Sequence, residues 1–261
     1  MCEKMLEYLK QEDKELFNKV TNHDIEDVIK VSPPEAWSTE RLIFNQALNK
    51  MGLQVARCIL SRRMNEARQD IRSYDKGLLE QFRKDGCLVL DDVFSEKDVK
   101  NNVLHINDRY VDILRMTLGD DTIPSYSKLE VQSMPAYRGT DPQCDSHFDT
   151  FHPTCKVWVY LHDVTLDHAP LHFAKGTHIN DENRLRFMYE LSLRLDRIAE
   201  GDFRDFKNEF EEPLPILGKK FTTIFVDVAG FHKRGNGKLG FNRVSARGNV
   251  DRKNPFRDIN V

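Results

Sequence analysis

No stretch of this chain approaches the apolar length that a membrane-spanning helix needs. Its first residues, Met1 to Met5, read as the start of a charged helix rather than a secretory leader. Cysteine is sparse: five residues (Cys2, Cys58, Cys87, Cys144, Cys155), odd in number, widely spread and without a C-x-x-C pair. That pattern excludes a disulfide framework and a zinc knuckle, and it predicts reduced thiols in a cytoplasmic setting. There are no internal repeats and no low-complexity tracts. Charge of one sign is also missing: the net charge of −3 gives no general reason to expect nucleic acid as a partner.

What is present is a chain of 261 residues, long enough for one large β domain with additions. A charged share of 31% alongside 16 phenylalanines predicts a folded protein with strongly solvated helical stretches. Three zones separate by pattern. Up to about residue 76, apolar residues recur at helical spacing: Leu6, Leu9, Leu16, Phe17 and Val20 predict one amphipathic helix, and Leu42, Phe44, Leu48, Val55, Ile59 and Leu60 another. Ser32-Pro33-Pro34 divides them. No catalytic spacing occurs in this zone, which reads as a helical cap or dimerisation element.

The second zone predicts a short helix around Leu78 to Phe82, closed at Asp85-Gly86, and a buried strand at Cys87 to Leu90. Ser95-Glu96-Lys97-Asp98 has the spacing of a capping box and predicts a helix running through Val103 and Ile106 towards Leu114. From about Ser125 onward the pattern is that of strands: Leu129 to Met134, Lys156 to Leu161, Phe221 to Val228 and Phe241 to Ala246. One helix interrupts them, from about Asp181 to Glu200. The fold class expected is mainly β with helices (α+β), a jelly roll rather than a parallel α/β sheet.

His147-Phe148-Asp149 is the chemical signal. In extended backbone, residues i and i+2 point to one side, so an imidazole and a carboxylate face one point. Such a tripeptide alone is weak. A second signal strengthens it: Phe225 through His232 puts a histidine just past the end of a buried strand, and Arg243 follows eleven residues later on a strand with Ser245. Two histidines and one carboxylate form the facial triad of non-haem iron(II) oxygenases, which leaves open coordination positions for a 2-oxo acid and O2. Arg243 and Ser245 alternate onto one face, where a guanidinium and a hydroxyl can hold a distal carboxylate. His152 is close enough to the triad to support it, and His178 sits on a loop that can edge a pocket; each reads equally well as packing. His105, His162, His168 and His172 read as surface or packed residues.

With these residues in place, the chain resembles the phytanoyl-CoA dioxygenase family of Fe(II)/2-oxoglutarate oxygenases. The resemblance rests on an ordered set: Gln81-Phe82-Arg83-Lys84-Asp85-Gly86 with Val89-Leu90 and Phe94-Ser95, then His147 through Pro153, the strand Trp158 through Val164, the loop Ala169-Pro170-Leu171 through Gly176-Thr177-His178, and the spacing from His232 to Arg243. It covers roughly residues 77 to 247, leaving residues 1–76 as a helical extension and 248–261 as a tail. It implies a double-stranded β-helix (cupin-like) core, iron(II) held by His147, Asp149 and His232, and 2-oxoglutarate held by Arg243. It also implies a polar co-substrate contact from the strand before the H-x-D segment, for which Gln132 is the first match and Lys128 the second. Trp158 either walls that pocket or packs in the core. Because Asp149 keeps the carboxylate that halogenating relatives lack, hydroxylation is the implied outcome.

The substrate is not implied. Arg138, Arg184, Arg186, Lys233 and Arg234 lie near pocket-edging segments and suit an anionic or zwitterionic small molecule, or simply a solvated surface. Two rival readings stand beside the dioxygenase: a non-catalytic 2-oxoglutarate or metal sensor, and a zinc hydrolase on the same three ligands, which would leave Arg243 without a role. Monomer and homodimer are both open.

Overall fold

Local capping and one glycine divide the helical first zone more finely than its apolar periodicity predicts. The computed structural model describes residues 1–39, 45–70, 75–100, 103–119, 129–135, 141–194, 210, 212–248 and 254–259. Helix α1 (Cys2–Leu6) stops early, and α2 (Gln11–Thr21) restarts where the Lys10 amide donates to the Asp13 carboxylate at 2.9 Å. Asp24 caps α3 (Ile25–Val31), a helix the sequence pattern did not indicate, by accepting from the Glu26 amide. The second expected helix is likewise two, α4 (Gln46–Lys50) and α5 (Leu53–Asp70), while Leu42 and Phe44 lie outside the described residues. The break between α4 and α5 falls at Gly52, whose φ of +94° suits glycine alone.

Next come α6 (Lys76–Asp85), closed by left-handed Gly86 as its sequence predicts, and strand β1 (Cys87–Leu90). The capping box at Ser95 forms, but the long helix expected after it does not. The box opens only a 3-10 turn (Glu96–Asp98), and the β-branched residues that follow pair as the ribbon β2 (Val99–Lys100) and β3 (Val103–Leu104). Helix α7 (Asp108–Leu118) starts afresh where the Asn107 side chain accepts from the Tyr110 amide at 3.0 Å.

The remaining strands are β4 (Leu129–Pro135), β5 (Cys155–Tyr160), β6 (Leu171–Phe173), then, after α8 (Glu182–Arg194), β7 (Leu214–Pro215), β8 (Thr223–Asp227), β9 (His232–Arg234) and β10 (Asn242–Gly248). Residues 195–200 of the expected helix lie outside the described residues. Five strands form an antiparallel sheet in the order β1-β8-β5-β10-β4, and three form a second, β7-β6-β9. The His147 segment joins the second sheet by bridging to His232 on β9. From β4 onward the chain crosses between these sheets almost strand by strand, which is the winding of a jelly roll. The fold is therefore mixed α+β with antiparallel sheets and a double-stranded β-helix core.

Alternation assigns the faces of the five-stranded sheet. Val157, Val159, Phe225 and Ala246 point outward and pack with Phe82, Tyr110 and Ile113 of α6 and α7. Trp158, Tyr160, Ile224 and Val226 point inward against Leu171 and Phe173 of the second sheet. A third cluster joins the N-terminal helices (Phe17, Trp37, Leu53) and α8 (Leu185, Phe187) to Phe148, Phe151 and Phe231 of the roll. Among the described residues no helix is long and apolar enough to cross a membrane.

A Cβ added at Gly52 would lie 2.7 Å from Thr21 Cγ2 and 2.8 Å from Phe17 Cζ, in a backbone conformation that side chains avoid. Gly52→Ala should therefore lower stability by about 1–3 kcal/mol, read as a fall in the urea midpoint. An unchanged midpoint would contradict this close packing of α2 against the start of α5.

Candidate metal centre

The site is built on a pair of reciprocal backbone bonds. The His147 amide donates to the His232 carbonyl at 2.9 Å and the His232 amide returns the bond at 2.8 Å, the close pair of an antiparallel ladder. Opposed side chains on one face follow, and the two imidazole centroids lie 4.5 Å apart. The Asp149 amide donates to Val228 at 2.8 Å, which continues the pairing and returns the carboxylate to the same side two residues on.

Each imidazole is oriented from behind. His147 Nδ1 lies 2.8 Å from the Asp145 carbonyl and His232 Nδ1 lies 3.0 Å from the Gly230 carbonyl. Both carbonyls require a proton on Nδ1, so both Nε2 atoms present lone pairs forward. They face the Asp149 carboxylate, at 4.0 Å from His147 and 3.7 Å from His232. One donor atom from each of the three residues lies within 4.8 Å of the others. Burial, with the neighbouring His232, pushes the His147 imidazole below its ordinary value, which keeps it in the neutral form that coordinates. Burial alone would raise the Asp149 carboxyl. The neighbouring His232 imidazole and the Lys156 ammonium outweigh it and hold the group well below the usual carboxylate range.

Lys156 was not among the residues the sequence singled out. It sits at the start of β5 and ion-pairs with Asp149 Oδ2. The available signal was its alternation with Trp158 and Tyr160, which puts a lone lysine on the inner face of an otherwise uncharged strand.

Deeper in the roll, Arg243 and Ser245 are both buried. Ser245 stands in register with Gln132 on β4 and Tyr160 on β5, and Arg243 with Met134. Gln132 is half-buried on the same inward face, and Trp158 is part of the interior apolar cluster. Lys128 lies outside the described residues. The Arg243 guanidinium gives one bond to the Ala169 carbonyl at 2.8 Å and approaches Met134 Sδ, while its Nε is buried without a partner. Among the described residues no carboxylate pairs with it. A buried cation with unused donors fits an anion such as the carboxylate of a bound diacid.

The other named side chains are engaged elsewhere. His152 turns its Nδ1 to Thr154 Oγ1 at 3.0 Å. His178 lines a cavity of about 470 Å³ between α2, α5 and α6, beside the Arg62–Asp227 ion pair, with Nε2 on the Arg83 carbonyl. Arg234 is bound by Asp141 at 2.9 Å and by the Pro135 carbonyl. Lys233 pairs with Glu212, Arg186 with Glu182, and Arg184 stacks on Phe148 and Phe231. Arg138 lies outside the described residues.

No protein-family model matches the chain, and no curated protein matches it in sequence. Solved structures do. The epimerase SnoN, in complex with Fe3+, alpha ketoglutarate and nogalamycin RO, is similar at a TM-score of 0.47 and 16% identity, over 66% of this chain and 81% of that one. EctD from S. alaskensis with bound Fe is similar at 0.44 and 17%, over 67% and 75%. HygX from Streptomyces hygroscopicus, with nickel and 2-oxoglutarate bound, is similar at 0.38 and 13%, over 70% and 89%. With overlaps this partial, what the site can do is decided by its own side chains.

Burial, with Arg62 nearby, pushes the His178 imidazole down to about 4. The unfolded chain binds that proton near the ordinary histidine value, so between the two values the unfolded state carries more protons and stability falls as pH drops. Urea midpoints measured at pH 7.5 and pH 5 should therefore differ more in the native protein than in His178→Gln, which keeps a donor towards Arg83. An equal difference in both would show that His178 is not held neutral.

Proposed function

We propose that this protein is a non-haem iron(II) dioxygenase that uses 2-oxoglutarate and O2 to hydroxylate a C–H bond of a small molecule, of the kind the phytanoyl-CoA dioxygenase family represents. The observation that supports it most strongly is the convergence of two Nε2 atoms, each fixed by a carbonyl behind it, on the Asp149 carboxylate. Iron(II) held there would supply the activation of O2 coupled to oxidative decarboxylation of 2-oxoglutarate, with succinate and CO2 as products.

The chain's own residues do the rest. His147, Asp149 and His232 would hold the iron through two imidazole nitrogens and a carboxylate oxygen. Arg243 pairs with the distal carboxylate of 2-oxoglutarate, Ser245 adds a hydroxyl, and Gln132 offers an amide from the facing strand. Trp158, Ile224 and Leu171 form apolar walls that keep bulk water from the reacting atoms. The Asp149 carboxylate, steadied by Lys156, favours hydroxylation over halogenation because it keeps the carboxylate donor that halogenating relatives lack. A zinc hydrolase would gain nothing from Arg243. A 2-oxoglutarate sensor would share the whole site and differs only in turnover.

Anaerobic addition of Fe(II) and then 2-oxoglutarate should produce the weak visible charge-transfer band of the chelate. His147→Ala and His232→Ala should lose both iron and band. Arg243→Ala should keep iron but require about tenfold more 2-oxoglutarate or beyond, the scale of a lost charge-assisted hydrogen bond. Bound iron with no band in the native protein would sink the dioxygenase reading. A band without succinate release in air, across a broad panel of small molecules, would favour the sensor.

A further inference from the structure

Arginine 247 stands apart from the other cations near the triad. Lys156 is paired with Asp149, Arg234 with Asp141 and Lys233 with Glu212, while Arg184 donates to the Ala229 carbonyl beneath Phe148. Arg247 forms no hydrogen bond or ion pair with any described residue. Its Nε is buried without a partner, and Glu130, directly across the ladder on β4, is exposed and does not reach it. It lies beside the Trp158 ring, with the guanidinium carbon 5.8 Å from the centroid.

Register fixes where this guanidinium lies. Arg243, Ser245 and Arg247 alternate onto the inward face of β10, opposite Met134, Gln132 and Glu130. On the other side Ser245 faces Tyr160 and Arg247 faces Trp158. Trp158 is two residues from Lys156, and Lys156 touches Asp149. Along β10, Arg247 is therefore nearer than Arg243 to the end of β5 that carries Lys156 and, through it, Asp149. Roughly 13 Å of extended strand separates the two α-carbons, so a single small carboxylate occupies one guanidinium and leaves the other.

We propose that Arg247 anchors an anionic group, a carboxylate or a phosphate, on the primary substrate, with Trp158 as the flat surface against which the adjoining part of that molecule rests. The inference rests on the reading of the triad and Arg243 as an iron and 2-oxoglutarate centre. An arginine fork matches both anions in a bidentate pair, and a buried N–H without an acceptor costs free energy until one arrives. The substrate class is thus a small anion or zwitterion.

The test uses the full chain under anaerobic conditions with Fe(II) and 2-oxoglutarate bound. Acetate, inorganic phosphate and the neutral control acetamide are titrated separately, with Trp158 fluorescence as the readout in a Trp37→Phe background; Trp37→Phe is checked first for an intact chelate band. Saturable quenching by an anion and none by acetamide is expected. In Arg247→Met that affinity should fall about tenfold or more, Arg247→Lys should retain part of it, and the chelate band should persist in both. Which anion saturates tells carboxylate from phosphate. In air, anionic members of a small-molecule panel should release more succinate than their neutral amides, and Arg247→Met should level the two. Absence of saturable anion binding, or equal binding in Arg247→Met, would overturn the proposal. So would loss of the chelate band in Arg247→Met, because it would give Arg247 to the co-substrate instead. Absence of the band in the native protein would instead remove the underlying iron and 2-oxoglutarate reading.

Discussion

Two backbone hydrogen bonds between His147 and His232 organise the centre of this protein. They join segments 85 residues apart in the chain and set a register in which everything else follows from strand alternation. The pairing that opposes the two imidazoles turns their neighbours, Phe148 and Phe231, to the other side. There the phenylalanine rings meet each other at 5.9 Å and meet Phe187 of α8 at 6.1 and 5.5 Å. A slip of one residue would exchange phenylalanines for ligands on both faces. The aromatic cluster therefore holds the register of His147, Asp149 and His232, with each ring pair worth about 0.5–1.5 kcal/mol beyond its buried area.

Arg184 adds a second restraint on the same segments. Its guanidinium lies 4.3 Å from the Phe148 ring centroid and 4.7 Å from that of Phe231, and it donates to the Ala229 carbonyl at 2.9 Å. It thereby clamps both ligand-bearing segments from behind. The N-terminal helices belong to this arrangement too. Phe17, Trp37 and Leu53 share one apolar cluster with Phe148, Phe151 and Phe231, so hydrophobic packing continues across residue 76, where the sequence pattern changes.

The sequence revealed those parts of the molecule whose signals are local. The H-x-D tripeptide, the long alternating strands and the Gly86 helix stop each depend on a few adjacent residues, and each has a counterpart in the described structure. Parts fixed by tertiary contact were not legible. The strands β6, β7 and β9 are two or three residues long, too short to show a period, and exist because they complete the second sheet. The capping box at Ser95 misled because its hydrogen bonds, although made, stabilise one turn and cannot override pairing between Val99–Lys100 and Val103–Leu104. Arg247 escaped notice because an arginine at the end of a strand looks like surface until the register shows which way it faces.

On the proposed reading, the interior of the roll trades stability for ligand binding. A fold concerned only with stability would fill an inward face with apolar side chains, as β8 does with Ile224 and Val226. Strand β10 instead places Arg243, Ser245 and Arg247 there, and each arginine has a buried Nε without a partner. Burial lowers the Arg243 pKa from its ordinary value, as expected where no described carboxylate compensates for lost solvent. Asp149 and Lys156 show the contrasting solution, a carboxylate and an ammonium that satisfy each other. On the proposed reading, buried positive charge that no described carboxylate pairs with would favour an anionic ligand. The desolvation penalty is incurred on folding and would be relieved on binding, so on that reading the side chains that weaken the roll are those that would give it affinity for a charged ligand.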